Sequence, residues 1–173
     1  MTTNPVHLDV ACRYLGLQEV PGPGFNAQIK AMWFALPGGK WYWDAVGKGD
    51  DSKLPWCGMF MAAVMKDSKI VFPTKYASAR EWIGWGTRID SPCVGAIAIF
   101  ERGPKYGHIG IIDGQDQQGN LRVIGGNQKD GVCRSFFPRR RVIAYLLPPT
   151  MTMPALAVLP VYATNGALSS NEA

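Results

Sequence analysis

The sequence predicts an α+β fold in which helices come first and an antiparallel sheet follows. Before residue 67, three segments carry apolar residues every three to four positions, which is the period of a helix. From about residue 94 the period falls to two, and turn-forming residues separate five short apolar runs. We therefore expect N-terminal helices packed on a C-terminal antiparallel meander.

The bulk composition is that of one ordinary globular domain. The chain has 173 residues, 47% hydrophobic and 18% charged, which is enough for a sizeable core. A net charge of +5 predicts attraction to a polyanion such as an anionic cell-envelope surface. Nucleic acid is not an expected partner, because no zinc-binding spacing, RNA-binding signature or long basic run is present. No run approaches the roughly 20 apolar residues of a membrane span, so stable membrane insertion is not expected.

The four cysteines are spaced so that no two form a CxxC pair, and neither a zinc site nor a cofactor is expected. The chain is large enough to fold without disulfides, so free thiols in a reducing compartment are the favoured interpretation. The first five residues lack a basic region and an apolar run, and no Sec signal is visible. A protein that acts outside the cytoplasm would then need another route of export.

The N-terminal region predicts two helices and a loop. Asn4 suits an N-cap, with Pro5 at the first helical position and His7 as an exposed surface residue. A second helix is predicted over residues 26–36, with three apolar side chains facing inward: Ile29, Met32 and Trp33. Residues 40–54 are polar and aromatic, and they predict an irregular loop.

Three carboxylates in this loop are weak candidates for calcium ligands: Asp44, Asp50 and Asp51. They lack the alternate-residue spacing of an EF-hand loop. The favoured interpretation is a solvated loop whose carboxylates cap the turns, with no metal.

Residues 54–66 predict the helix around which the chain is organised. Proline is tolerated only in the first turn, so the helix begins near Pro55 and Cys57 falls in its first turn. Unpaired N–H groups and the positive end of the helix dipole stabilise a thiolate there. Cys57 also shares an apolar face with Phe60, Met61 and Val64, so a buried core cysteine is the alternative interpretation.

The second half predicts a short helix from the capping box at residues 78–81, then five strands. The strands are expected at residues 94–100, 108–113, 121–127, 132–136 and 142–147. The cluster Arg139–Arg141 is interpreted as a solvated turn between two of them. Two prolines close a domain of residues 1–149. Residues 150–173 form a tail that is either an extended strand around residues 158–162 or mobile.

A cysteine nucleophile needs a base, and the base needs a third group that orients it. Of the two histidines, His108 is the predicted base because it begins an apolar strand. A turn centred between residues 117 and 118 pairs residues whose numbers sum to 235. Asn127 then stands opposite His108, with Cβ atoms about 4.5–5.5 Å apart, and is predicted to orient the imidazole. Asp113, the alternative, is predicted to point away.

Six ordered motifs resemble the CHAP (cysteine, histidine-dependent amidohydrolase/peptidase) group of the NlpC/P60-like superfamily. They are residues 14–22 (YLGLQEVPG), 55–60 (PWCGMF), 78–86 (SAREWIGWG), 95–100 (GAIAIF), 107–111 (GHIGI) and 125–128 (GGNQ). The resemblance implies a papain-like fold and hydrolysis of peptidoglycan, with Cys57, His108 and Asn127 as nucleophile, base and orienting residue. Four aromatic residues are candidates to line the substrate groove, with packing in the core as the alternative for each: Trp56, Trp82, Trp85 and Tyr106.

The chain departs from this group in two places. The third catalytic position is often a carboxylate, where Asn127 has an amide that stabilises imidazolium less. A Gly-Asp pair often precedes the first long strand, where this chain has Gly95 and Ala96. The resemblance is greatest to a compact phage branch and implies a monomeric endolysin, made in the host cytoplasm and released to the periplasmic wall through a holin lesion. A secreted bacterial amidase toxin and a non-catalytic wall-binding or virion structural module are the alternatives.

Overall fold

In the computed structural model, which describes residues 4–153, 158–164 and 168–169, helices precede a six-stranded antiparallel sheet. This arrangement confirms the predicted α+β class. The α-helices in the described residues are α1 (Val6–Cys12), α2 (Ala27–Phe34), α3 (Gly39–Tyr42) and α4 (Cys57–Asp67). None of the helices so described is both long and apolar enough to cross a bilayer.

The segment predicted as an irregular loop is instead largely helical. It contains α3, a π-helical turn (Trp43–Gly47) and a 3-10 turn (Asp51–Lys53). Gly38 has a φ of 72°, which turns the chain sharply enough for a new helix to begin at the next residue. The aromatic residues that suggested a loop are packed, since Trp43 is buried and meets Phe25 edge to face at 5.6 Å.

Helix α4 is enclosed on every side. It begins at Cys57 with Trp56 as the N-cap residue, and every side chain from Cys57 to Met65 is buried. A helix that is apolar all round belongs inside a core, because no face is left for water. The start of α4 therefore fixes the position of Cys57 against the rest of the fold.

The sheet departs from a simple meander at its last strand. Its strands are β1 (Thr87–Ile89), β2 (Ile97–Arg102), β3 (Tyr106–Gln115), β4 (Leu121–Gly125), β5 (Cys133–Phe137) and β6 (Val142–Leu147). Their order is β1-β6-β2-β3-β4-β5, so β6 crosses back to pair with β2. This pairing gives β2 a neighbour on both edges. The predicted five-strand meander is correct for β2 to β5 and wrong for β6, and β1 was not predicted.

Both faces of the sheet are covered. Alternate residues of β2 and β3 face the helices, among them Ile99 and Ile109. The intervening residues, among them Phe100 and Ile112, form a second apolar cluster on the opposite face. His108 is the register partner of Phe100 in β2, which places it at the second cluster.

The described residues 158–164 of the tail lie against the sheet. Val161 forms a parallel bridge with Gln115, the last residue of β3. The Arg122 guanidinium lies 3.1 Å above the centre of the Tyr162 ring. Leu159 enters the second apolar cluster with 4% of its surface exposed. The role of the tail is thus partly structural.

Leu159→Ala is expected to lower the free energy of unfolding by about 2–3 kcal/mol, because it removes a buried leucine side chain. The neighbouring Val158 is 74% exposed, so Val158→Ala is the matched control. It should change the free energy of unfolding by less than about 0.5 kcal/mol. Urea unfolding of both variants makes the comparison. Equal stabilities would contradict the docking of residues 158–164 on the sheet.

Candidate active site

Cys57 is the first residue of α4 and is 7% exposed. Three backbone N–H groups lie close enough to lower the pKa of its thiol, those of Gly58, Ile109 and Cys57 itself. The N–H of Ile109 belongs to the peptide group that joins it to His108. The thiol therefore lies against the backbone of the residue predicted to be its base.

Burial raises the pKa of the Cys57 thiol to about 11, although the N–H groups of Gly58 and Ile109 and the charge of Arg102 lower it. The sequence predicted a thiolate stabilised by the start of the helix. In the structure desolvation outweighs that stabilisation, so the resting thiol is protonated at neutral pH. Such a thiol needs a base that removes its proton during attack.

His108 is buried in β3 beside two aromatic rings that stack on each other with their centres 4.5 Å apart. Its imidazole stacks on Phe137 with the ring centres 5.4 Å apart and the planes 12° from parallel. Phe100 lies on the same face at 6.2 Å. These contacts fix the plane of the imidazole ring. They do not determine in which direction each of its two nitrogens points.

The Nε2 atom of His108 lies 2.9 Å from the side-chain oxygen of Gln128. Gln128 is itself buried, and its amide nitrogen donates to the carbonyl oxygen of Cys133 at 2.7 Å and to that of Val123 at 3.3 Å. Carbonyl oxygens only accept hydrogen bonds, so the amide nitrogen must face them. The oxygen of Gln128 is thereby turned to His108.

The sequence predicted Asn127 in this position, and the structure places Gln128 there instead. The predicted register sum of 235 is confirmed at the pair Ile111–Ile124. Strand β4 then ends at Gly125, and Asn127 has a left-handed φ of 57°. The ladder therefore stops before it reaches Asn127. The side-chain oxygen of Asn127 is buried and accepts no hydrogen bond from the described residues.

Two consecutive glycines make the site possible. A methyl group at position 125 would lie 2.6 Å from the Gln128 oxygen and 3.1 Å from the His108 Nε2. A methyl group at position 126 would lie 2.5 Å from the Cβ of Phe60, on the facing side of α4. Gly125 thus leaves room for the imidazole and Gly126 for the helix, which is a structural reason for the two glycines of the GGNQ motif.

Glu19 supports the site from outside and was not singled out from the sequence. Its carboxylate accepts a 2.5 Å hydrogen bond from the indole N–H of Trp56, and its own backbone N–H donates to Asp130. Burial raises the pKa of Glu19, while the hydrogen bond from Trp56 lowers it. This contact ties the segment before α2 to the residue that precedes Cys57.

The predicted groove residues are brought together only in part. Trp56, Trp82 and Trp85 are buried, and the last two donate their indole N–H groups to backbone carbonyls. These three indole rings fill the core, which was the alternative interpretation for each of them. Tyr106 is 72% exposed in the β2–β3 hairpin, where Arg80 donates to its carbonyl oxygen.

The calcium candidates have other partners. Asp44 pairs with Lys40, and Asp50 accepts hydrogen bonds from Ser52 and forms an ion pair with Lys53 at 3.0 Å. The Asp51 carboxylate accepts from the Asn26 N–H at 2.6 Å. Within the described part of the chain, no three His, Cys, Asp or Glu side chains are arranged to hold a metal ion.

His7 was predicted to be an exposed surface residue, and this prediction was wrong. It is 2% exposed, and its Nε2 lies 2.7 Å from the carbonyl oxygen of Gly95. Desolvation lowers the pKa of His7, although the hydrogen bond to Gly95 raises it. The hydrogen bond between His7 and Gly95 thus connects α1 to the segment that precedes β2.

Comparison with known proteins gives one match. The family model described as CHAP domain matches residues 25–127, which is more than half of the chain. No curated protein and no solved structure matches the chain. The matched range contains Cys57, His108 and Asn127, and it ends one residue before Gln128.

Proposed function

Because this chain belongs to the CHAP domain family, we propose that it hydrolyses an amide bond of peptidoglycan with Cys57 as nucleophile and His108 as base. CHAP domains are generally cysteine- and histidine-dependent hydrolases that act as peptidoglycan amidases or peptidases. The observation that carries the proposal is the position of the Cys57 thiol at the start of α4, near enough to the Ile109 N–H, next to His108, for that group to lower its pKa.

In the proposed reaction the His108 imidazole removes the thiol proton as the Cys57 sulfur attacks the substrate carbonyl carbon. The negative charge that develops on the carbonyl oxygen is stabilised by a backbone N–H at the start of α4. The imidazolium then gives its proton to the leaving nitrogen, the C–N bond breaks, and a thioester remains on Cys57. Water, activated by His108, attacks the thioester carbon and releases a carboxylic acid and the thiol.

The target is either the N-acetylmuramoyl–L-alanine bond or a peptide bond of the stem or cross-bridge. A net charge of +5 supports attraction to an anionic cell envelope. Tyr106 is the exposed aromatic residue nearest in sequence to His108 and is proposed to contact the substrate.

The proposed biological setting is lysis of a bacterial host by a phage endolysin that acts as a monomer on the periplasmic wall. What supports this setting is the resemblance of the six quoted motifs to the compact phage branch of the group. Holin-type release would bring the enzyme from the host cytoplasm to its substrate.

Product analysis of digested murein tests the proposal. Purified murein is incubated with the protein, and the soluble products are identified by mass spectrometry. Muramic acid freed of peptide is expected for an amidase, and new amino-acid termini for an endopeptidase. A digest with the same products as murein incubated without protein would overturn the hydrolase proposal and favour a non-catalytic wall-binding module.

A further inference from the structure

We infer that Gln128, and not Asn127, is the positioning residue of the site, and that it holds the His108 proton on Nε2 so that Nδ1 is the base. This inference rests on the proposed function for the role of Nδ1. The tautomer itself is a property of the free protein and can be measured without substrate.

The first step is the orientation of the Gln128 amide. The side-chain nitrogen of Gln128 donates hydrogen bonds to two backbone carbonyl oxygens, those of Val123 and Cys133. If the amide were turned over, its oxygen would face both carbonyls and two buried oxygen pairs would repel each other. The orientation is thus set by backbone on β4 and β5, independently of His108.

The second step is the protonation of the ring. The Gln128 oxygen has no hydrogen to donate, so the 2.9 Å contact forms only if His108 carries a hydrogen on Nε2. A neutral imidazole holds one hydrogen, and Nδ1 therefore keeps its lone pair. Nδ1 is then the ring atom able to accept the thiol proton.

The third step is the role of Asn127. Its left-handed φ of 57° turns the chain at the end of β4, and the following residue closes a turn in which the Gln128 N–H donates to the Gly131 carbonyl. Asparagine tolerates this conformation better than most side chains. The backbone conformation of Asn127 thus places the Gln128 side chain beside the imidazole.

The experiment is a long-range ¹H–¹⁵N NMR correlation of the histidine rings, in wild type and in two variants. The chain has only two histidines, and His7→Gln assigns their signals. Wild type is expected to show His108 with its hydrogen on Nε2 and with an unprotonated Nδ1. Gln128→Met keeps the side-chain length and removes the acceptor, so a mixture of both tautomers is expected.

Asn127→Gly is the matched control, because glycine adopts the required φ without strain while the side-chain amide is lost. It should keep the wild-type tautomer. An unprotonated Nε2 of His108 in wild type would overturn the inference. Mixed tautomers in Asn127→Gly together with the wild-type tautomer in Gln128→Met would also overturn it. Should Gln128→Met fail to fold, Gln128→Asn provides the same test, since its amide is one methylene too short to reach both carbonyls and the ring.

Murein hydrolysis provides the second readout. Gln128→Met is expected to lower the maximal rate of dye release from dyed murein about 10- to 100-fold, with a half-saturating concentration close to wild type. A purely structural role would lower the folded fraction and leave the tautomer of the folded protein unchanged. If wild type does not cleave murein but shows the expected tautomers, the proposed function fails and the assignment of Gln128 stands.

Discussion

Cys57→Ala is expected to lower the rate of murein hydrolysis by about 10⁴-fold or more, because it removes the sulfur that forms the thioester. The resting thiol is protonated, with a pKa raised by burial to about 11. Proton removal and attack are therefore coupled, and both are lost with the sulfur. Dye release from dyed murein measures the rate, and circular dichroism confirms the fold.

A second buried cysteine provides the control for this variant. Cys93 is also a free thiol, is 1% exposed and lies in the apolar cluster on the opposite face of the sheet. Cys93→Ala removes the same atom from a similar environment, at a cost of about 1 kcal/mol in stability, and should keep the wild-type rate. Equal rates for Cys57→Ala and Cys93→Ala would contradict a role for Cys57 as nucleophile.

The larger features of the fold follow from periodicity, which the sequence displays directly. The register sum of 235 holds at Ile111–Ile124 because apolar alternation and a short turn determine the pairing. It changes to 236 between Gly114 and Arg122, where a bulge interrupts the ladder near the turn. A local irregularity of this kind leaves no pattern in the apolar residues, and it could not be predicted.

The site was predictable to the extent that chemistry limits the choices. Cys57 falls in the first turn of a predicted helix, and His108 is the one of the two histidines that lies on a predicted strand. Both could therefore be named as candidates. Gln128 could not, because its position depends on where β4 stops and on the left-handed turn at Asn127. The adjacent pair Gly125 and Gly126 was the available signal, since both faces of the strand must be approached closely there.

Short elements were the other limit. β1 has three residues, two of them exposed, and its pairing with β6 is determined by contacts distant in the sequence. The 3-10 turn Ala79–Gly84 was predicted as a capped helix, but its N-cap residue Ser78 makes no side-chain capping bond. Packing of Trp82 into the core holds this turn in place of a cap.

Gly58→Ala is expected to destabilise the protein by roughly 3 kcal/mol and to lower its activity together with its stability. A methyl group at this position would lie 2.2 Å from the carbonyl oxygen of Tyr76 and 2.8 Å from that of Ala77. The Tyr76 oxygen cannot easily retreat, because it accepts the indole N–H of Trp82 at 3.0 Å. Either this hydrogen bond breaks or the start of α4 moves, and in the second case Cys57 moves with it.

Urea unfolding and dye release measured on the same samples separate these two responses. Gly84→Ala is the matched control, since no atom lies within 4 Å of the added methyl group and no left-handed conformation is required. It should change the free energy of unfolding by less than about 0.5 kcal/mol. A Gly58→Ala variant that keeps its stability but loses activity indicates displacement of Cys57. Stability and activity equal to those of Gly84→Ala would contradict the close contact between α4 and residues 76–77.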